Sequence, residues 1–131
     1  MEKFSLHTGG QTQLIDITAQ IQKIVSASAM RAGVCHVFVP HTTAAVTINE
    51  NADPDVKSDI LMEINKVIPF SDTYRHLEGN SAAHIKASLF GNSETVIIEN
   101  GNLQLGTWQG IYFCEFDGPR TRYVWVRLTS S

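Results

Sequence analysis

Apolar positions along this chain repeat with two alternating periods, and the changes of period divide it into elements. Residues 4–7 and 13–17 are short mixed runs either side of Thr8-Gly9-Gly10. They read as strands, and the glycines favour a hairpin-like connection that would pair them. From Thr18 the period becomes helical: Ile21, Ile24, Val25, Ser28 and Ala32 share a face, and Gly33 is placed to end the helix in a left-handed conformation. Residues 34–39 (VCHVFV) and 44–49 (AAVTIN) are rich in branched and aromatic residues. They read as two adjacent strands parted by the Pro40-His41 corner.

Asp53 then offers a carboxylate to free helical N–H groups, and Pro54 suits the first helical position, where no donor is needed. Ile60, Leu61, Ile64, Val67 and Ile68 make the apolar face of this second helix, which Pro69 closes. Residues 70–79 form a polar loop. Asn80 or Ser81 caps a short helix ending at Phe90 before Gly91, with His84 and Ser88 on one face. The last third is extended again: residues 95–98, the type I′ turn Asn100-Gly101, and the return at 103–105. Residues 111–116 and 122–128, joined by Asp117-Gly118-Pro119-Arg120, complete an expected meander. The pattern predicts one α+β domain over residues 1–131: a largely antiparallel sheet, sandwich or barrel-like, with two to three helices.

Composition narrows the function classes. A chain of 131 residues with 43% hydrophobic residues can bury one core. Its net charge of −3 lacks the basic excess that neutralises nucleic acid or an anionic membrane, so neither is an expected partner. No apolar run is long enough to span a bilayer and no leader pattern opens the chain, so the expected compartment is the cytoplasm. Cys35 and Cys114, each inside an apolar run, read as buried reduced thiols.

Candidate chemistry concentrates in HTTAAVTINENADPDV, residues 41–56. His41 stands at one end of its strand, and Asn49, Glu50 and Asp53 stand at the other. At about 3.3 Å per residue the two ends lie roughly 25 Å apart, so a bend, another segment or another subunit must complete any shared site. Asp53 is explained as a helix cap; Glu50 has no such structural role and is either a functional carboxylate or a solvated loop residue. In YRHLEGNSAAHIKASLFG, His76 and His84 flank a turn and a helix start, which can converge imidazoles and backbone donors on an anion or metal. His7 reads as peripheral and His36 as an ordinary strand residue. The glycines of Gly106-Thr107-Trp108-Gln109-Gly110 suggest a bulge or close backbone approach. There Trp108 either lines a pocket or covers the core, with Gln109 bonded to backbone. Glu115, Asp117 and Arg120 make either a ligand clamp or an Arg–Asp pair that locks the turn.

As a set, HTTAAVTINENADPDV, EGNSAAHIKASLFG, NGNLQLGTWQGI and EFDGPRTR resemble, in order and spacing, the YjbQ family of secondary thiamine-phosphate synthases. The resemblance implies an α+β homotrimer with its site near subunit boundaries. Carried across, the family's polar pattern falls on His41, Thr42, Thr43, Asn49, Glu50, Asp53, His76, His84, Ser88, Trp108, Gln109, Glu115, Asp117 and Arg120. The resemblance then implies His41, His76 and His84 as metal ligands (Zn or Mg) or acid–base groups, and Glu50 as a base or ligand. Thr42, Asn49, Ser81, Ser88, Trp108, Gln109 and Arg120 become candidates for holding a phosphorylated small-molecule substrate. The implied reaction condenses a pyrimidine diphosphate with a thiazole phosphate and releases pyrophosphate. Such a substrate asks for more cations than these residues supply, which points to a secondary activity. Two other readings stay open: a non-catalytic metabolite- or metal-binding homotrimer, and a structural assembly module.

Overall fold

Inward-facing parity sorts the strands into two antiparallel sheets. In the computed structural model, which describes residues 1–131, the five-stranded sheet runs β1 (Glu2–His7), β8 (Thr121–Ser130), β3 (Gly33–Phe38), β5 (Ser93–Glu99) and β6 (Asn102–Leu103). The three-stranded sheet runs β2 (Gln13–Asp16), β7 (Gln109–Glu115) and β4 (Ala44–Glu50). Cys35 and Val37 of β3, Val96 and Ile98 of β5, and Val124 and Val126 of β8 pack in one cluster with Ala44 and Val46 of β4 and Ile111 and Phe113 of β7. Ile21 and Val25 of α1 (Thr18–Ser28) join them. Each large side chain withdrawn from water there stabilises the fold by about 1.5–3 kcal/mol.

The alternate residues of the three-stranded sheet belong to a second cluster. Leu14, Ala45, Tyr112 and Cys114 meet Ala83 and Ala87 of α3 (Ser81–Phe90), with Ile60 and Leu61 of α2 (Pro54–Val67) packed against them. β7 is therefore covered on both faces, which is why residues 110–115 are all buried. The alanines let α3 lie close on β4, and Val46 N–H donates to Gly91 O just past the helix end. No helix is long and apolar enough to cross a membrane.

The α+β class, the three helices and most element positions are as expected; several connections are not. β1 and β2 do not pair with each other: β1 pairs with β8 and β2 with β7. Phe4 and Leu6 pack on the inter-sheet core while Leu14 packs under α2 and α3, so the two strands serve different layers. β3 and β4 likewise lie in different sheets, because the Pro40-His41 corner carries the chain between them. The expected meander is limited to the β5–β6 hairpin, whose Asn100 and Gly101 have the positive φ of 53° and 76° that a type I′ turn needs. β7 and β8 belong to opposite sheets, and their linking turn, with a cis Gly118–Pro119 peptide, crosses from one to the other.

Gly33 does not end α1. Ala29, at φ 60°, takes the left-handed cap, and Gly33 begins β3. Glycine is needed there because a Cβ would collide with the Thr129 carbonyl and with Met30 Sδ. Asp53 caps α2 as expected, its Oδ1 accepting from Asp55 N–H at 2.9 Å. Asn80 occupies the N-cap of α3 without capping it: its Nδ2 donates to Asp117 Oδ2 at 2.9 Å, and its Oδ1 has no partner.

Candidate functional site

Where the chain leaves β3, Pro40 ends the ladder with β8, whose last pair is Phe38 with Trp125. Two residues farther along β8, Tyr123 would face backbone that has turned away. His41 fills that gap: Tyr123 N–H donates to its Nε2 at 2.9 Å, and the two rings stack with centroids 6.3 Å apart. Burial lowers the pKa of His41, and the nearby Arg122 guanidinium lowers it further.

Opposite this corner, His84 and Ser88 of α3 line one wall of a cleft of about 490 Å³; His41, Thr42 and Asn92 also line it. Ser88 Oγ donates to the His84 carbonyl at 2.9 Å, the intrahelical bond that their four-residue spacing permits. A second cleft adjoins it, lined by Tyr74, Arg75, His76, Ser81, His84 and Ile85. There the His76 and His84 rings meet edge to face at 5.4 Å. His84 belongs to both clefts, and no side chain of the protein hydrogen-bonds to its ring.

Beneath the His41 corner lies a buried charged network. Glu115 is wholly enclosed and Arg122 nearly so; the guanidinium forks onto the carboxylate, with Arg122 Nε to Glu115 Oε1 at 2.8 Å. Thr8 Oγ1 donates to Oε1 at 2.8 Å and Asp117 N–H to Oε2 at 3.0 Å. Arg122 Nη2 also reaches Thr43 Oγ1 at 2.9 Å, which ties β8 to the segment just after His41. Burial alone would raise the pKa of Glu115, but the bonds from Arg122, Asp117 and Thr8 outweigh it and hold the carboxyl below its usual range.

The residues expected at the site do not gather in one place. His41, Thr42, His84 and Ser88 share the first cleft; His76, Ser81 and His84 share the second. Arg120 pairs with Asp117 at 3.2 Å, and Asp117 holds Asn80 at the start of α3, so Arg120 makes the Arg–Asp pair across this turn and lines neither cleft. Asn49, Glu50, Trp108 and Gln109 stand at the far end of β4 from Ala44, which itself lines the first cleft. Six residues of strand separate the two ends, roughly 20 Å. At that far end Glu50 O accepts from Tyr112 Oη at 3.0 Å, and Gln109 Oε1 accepts from Gly106 N–H at 2.8 Å. Trp108 is exposed, with its carbonyl accepting from Asn51 N–H. A Cβ at Gly110 would strike Asn51, so the close backbone approach expected there is present.

Within one chain no three His, Cys, Asp or Glu side chains converge as a metal site. Only the His76–His84 pair brings two imidazoles together, and the Nε2 of His41 is already engaged. A resident metal is thus not fitted by one chain alone. Sequence reasoning missed Asn92, Arg75, Tyr123 and Arg122. For Arg122 a signal existed: it shares inward parity with Val124 and Val126, so its charge had to find a buried partner.

Two facing sheets flanked by helices, with a histidine-lined polar cleft at the sheet crossing, define a small α+β protein with a ligand-sized surface site. The chain belongs to the YjbQ family: the model for UPF0047 protein YjbQ-like matches residues 2–131. It is 48% identical over 129 residues to the UPF0047 protein YugU of Bacillus subtilis, covering 98% of each chain. It is 51% identical over 126 residues to the UPF0047 protein MJ1081 of Methanocaldococcus jannaschii, covering 96% of this chain and 91% of that one. A crystal structure of a YjbQ/UPF0047 family protein from Clostridium acetobutylicum, 57% identical, superposes with a TM-score of 0.97 over 98% of this chain and all of that one. Membership accounts for the fold and leaves the reaction to be argued from the clefts.

Proposed function

We propose that the paired clefts around His84 bind a small phosphorylated substrate and perform imidazole acid–base chemistry on it, with thiamine-phosphate synthesis as a secondary activity. The observation that carries this reading is the position of His84. Its ring, unbonded within the chain, shares one cleft with His41 and touches His76 in the other. An imidazole with free nitrogens can serve as general acid or base. In the condensation a bond forms between pyrimidine and thiazole as the pyrimidine's C–O bond to diphosphate breaks, and pyrophosphate leaves. Thr42, Ser88 and Asn92 offer neutral hydrogen bonds to such a substrate, and Arg75 in the second cleft offers a charge.

The first cleft has no lysine or arginine in its lining. A divalent ion, Zn or Mg, would supply the missing positive charge to the phosphates. The imidazoles of His76 and His84 would suit Zn, the substrate or a second copy of the chain completing the set, whereas Mg would be held by the substrate's own phosphate oxygens and water. Assembly as a homotrimer, with the site near subunit boundaries, would let residues of a neighbour complete it. We place this activity in the cytoplasm, in keeping with two buried free thiols. The same shortage of cations favours one second reading, a homotrimer that binds a metabolite without turning it over.

Pyrophosphate release from a pyrimidine diphosphate and a thiazole phosphate, with Mg²⁺ or Zn²⁺ present, tests the proposal. Turnover that falls about 100-fold in His84→Gln supports it, as the loss of an acid–base group would. No release by the unaltered protein with either ion, or equal release by the variant, rejects it in favour of binding alone.

A further inference from the structure

The bond at the His41 corner decides which ring nitrogen carries the proton. A backbone N–H can only donate, so the Nε2 that receives Tyr123 N–H must present its lone pair. In a neutral imidazole the proton then sits on Nδ1. Nδ1 has no partner in the chain, and it is not sealed from solvent, since Asn80 Oδ1 is the single buried side-chain atom left without a partner. Coordination of a metal through Nδ1 would require loss of that proton while Nε2 kept its bond, giving an imidazolate, or rupture of the bond to Tyr123.

We propose that His41 is not a metal ligand but the cleft's fixed hydrogen-bond donor: Tyr123 locks it as the Nδ1–H tautomer, and Nδ1–H donates to an oxygen of the phosphate group bound there. Its counterpart His84, with both ring nitrogens unengaged, is the imidazole left for proton transfer or metal. The inference rests on the phosphorylated-substrate reading above and assigns different work to two histidines that the sequence presents as equivalent. Placement supports the division. His41 is held from β8, a strand paired on both sides, and its neighbour Thr43 is tied to the buried Arg122. The ring is therefore preorganised as a donor with little left to order on binding.

Two substitutions separate the structural bond from the donor. Glutamine reaches the Nε2 position and can accept from Tyr123 N–H, whereas asparagine places an amide N–H near the Nδ1 position. With inorganic pyrophosphate as the probe, His41→Asn is expected to bind within about threefold of the unaltered protein. His41→Gln is expected to bind at least about tenfold more weakly, the loss of one hydrogen bond to a charged oxygen. Long-range ¹H–¹⁵N spectra of the histidine-labelled protein are expected to show His41 as Nδ1–H, with its signals unmoved by Zn²⁺ while those of His84 shift. An Nε2–H tautomer, Zn²⁺-induced loss of the His41 ring proton, or Asn binding no better than Gln overturns the proposal. If the unaltered protein fails to bind pyrophosphate, the donor role to phosphate falls with the substrate reading. The tautomer spectrum then shows whether His41 itself was misassigned.

Discussion

Lys86 Nζ lies 3.7 Å from the centre of the Phe70 ring, and its hydrogen-bond acceptor is Asn65 Oδ1 at 2.6 Å. No carboxylate pairs with this fully buried ammonium, which is held between α3 and α2 by an aromatic face and an amide. Burial pushes its pKa down to about 8. The unfolded chain keeps its proton to about 10.4. Between those values the unfolded state binds more protons than the folded one, so stability rises with pH through that window. Below about pH 8 both states are charged, and burying the charge costs about 3 kcal/mol in full. Lys86→Met removes this term. Its Tm relative to the unaltered protein is expected to fall as pH rises from 8 to 10, on top of a constant offset from the stranded Asn65 carbonyl. Parallel Tm profiles would show that the folded lysine stays charged.

The Glu115–Arg122 pair makes a second, opposite prediction. Both groups are buried and paired, so removing one leaves the other's charge buried without an ionic partner. Arg122→Ala is expected to destabilise the fold by about 3–5 kcal/mol. Replacing both by apolar residues of similar volume, Glu115→Leu with Arg122→Met, is expected to recover most of that loss. Urea midpoints measure both variants, and a double variant as unstable as the single one would show that Thr43 and Thr8 depend on the ions themselves.

Arg120 separates surface from buried charge two residues away. Its pair with Asp117 is half exposed at 3.2 Å, so Arg120→Ala is expected to lower stability by less than about 1 kcal/mol. A loss near that of Arg122→Ala, measured in the same urea titration, would mean the turn depends on this pair.

How much of this could be seen in the sequence follows from the range of each interaction. Local signals were legible: the Asp53-Pro54 helix start, the stop at Gly91 and the Asn100-Gly101 turn each depend on a few consecutive residues. Pairing was not. Whether β2 lies beside β1 or β7 depends on which layer Leu14 enters, and that is decided by residues about a hundred positions away. Gly33 shows the same limit, because a steric glycine and a left-handed glycine look alike until Thr129 arrives beside it. At the site, the grouping of His41 with His84 needed the packing of α3 on β4, and the tautomer of His41 needed Tyr123. The four quoted blocks identified the family, but their polar residues include those that only support the fold.

Gly33 is also a direct test of that distinction. A methyl group there meets the backbone of Thr129 and Ser130 where β3 begins beside the end of β8, a strand pair that can yield only by shifting together. Gly33→Ala is expected to cost about 3 kcal/mol. Gly79, whose Cβ position is open, carries a positive φ of 79° and is expected to lose only about 1 kcal/mol to alanine. A reversed order in thermal melts would mean that β3 and β8 can shift to make room.

His84 itself gives the sharpest separation of function from folding. Its ring packs edge-on against His76 but no side chain bonds to it, so His84→Gln is expected to change Tm by no more than about 2 °C. The same substitution removes the group common to both clefts. Zn²⁺ binding followed by calorimetry is therefore expected to weaken at least tenfold, because His76 would be left with no second imidazole. His36→Gln supplies the control: that ring is exposed on the outer face of the five-stranded sheet and bonds to Thr129 Oγ1 at 3.1 Å, away from either cleft. Equal Zn²⁺ affinity in the two variants would place the ion elsewhere and leave His84 with proton transfer alone.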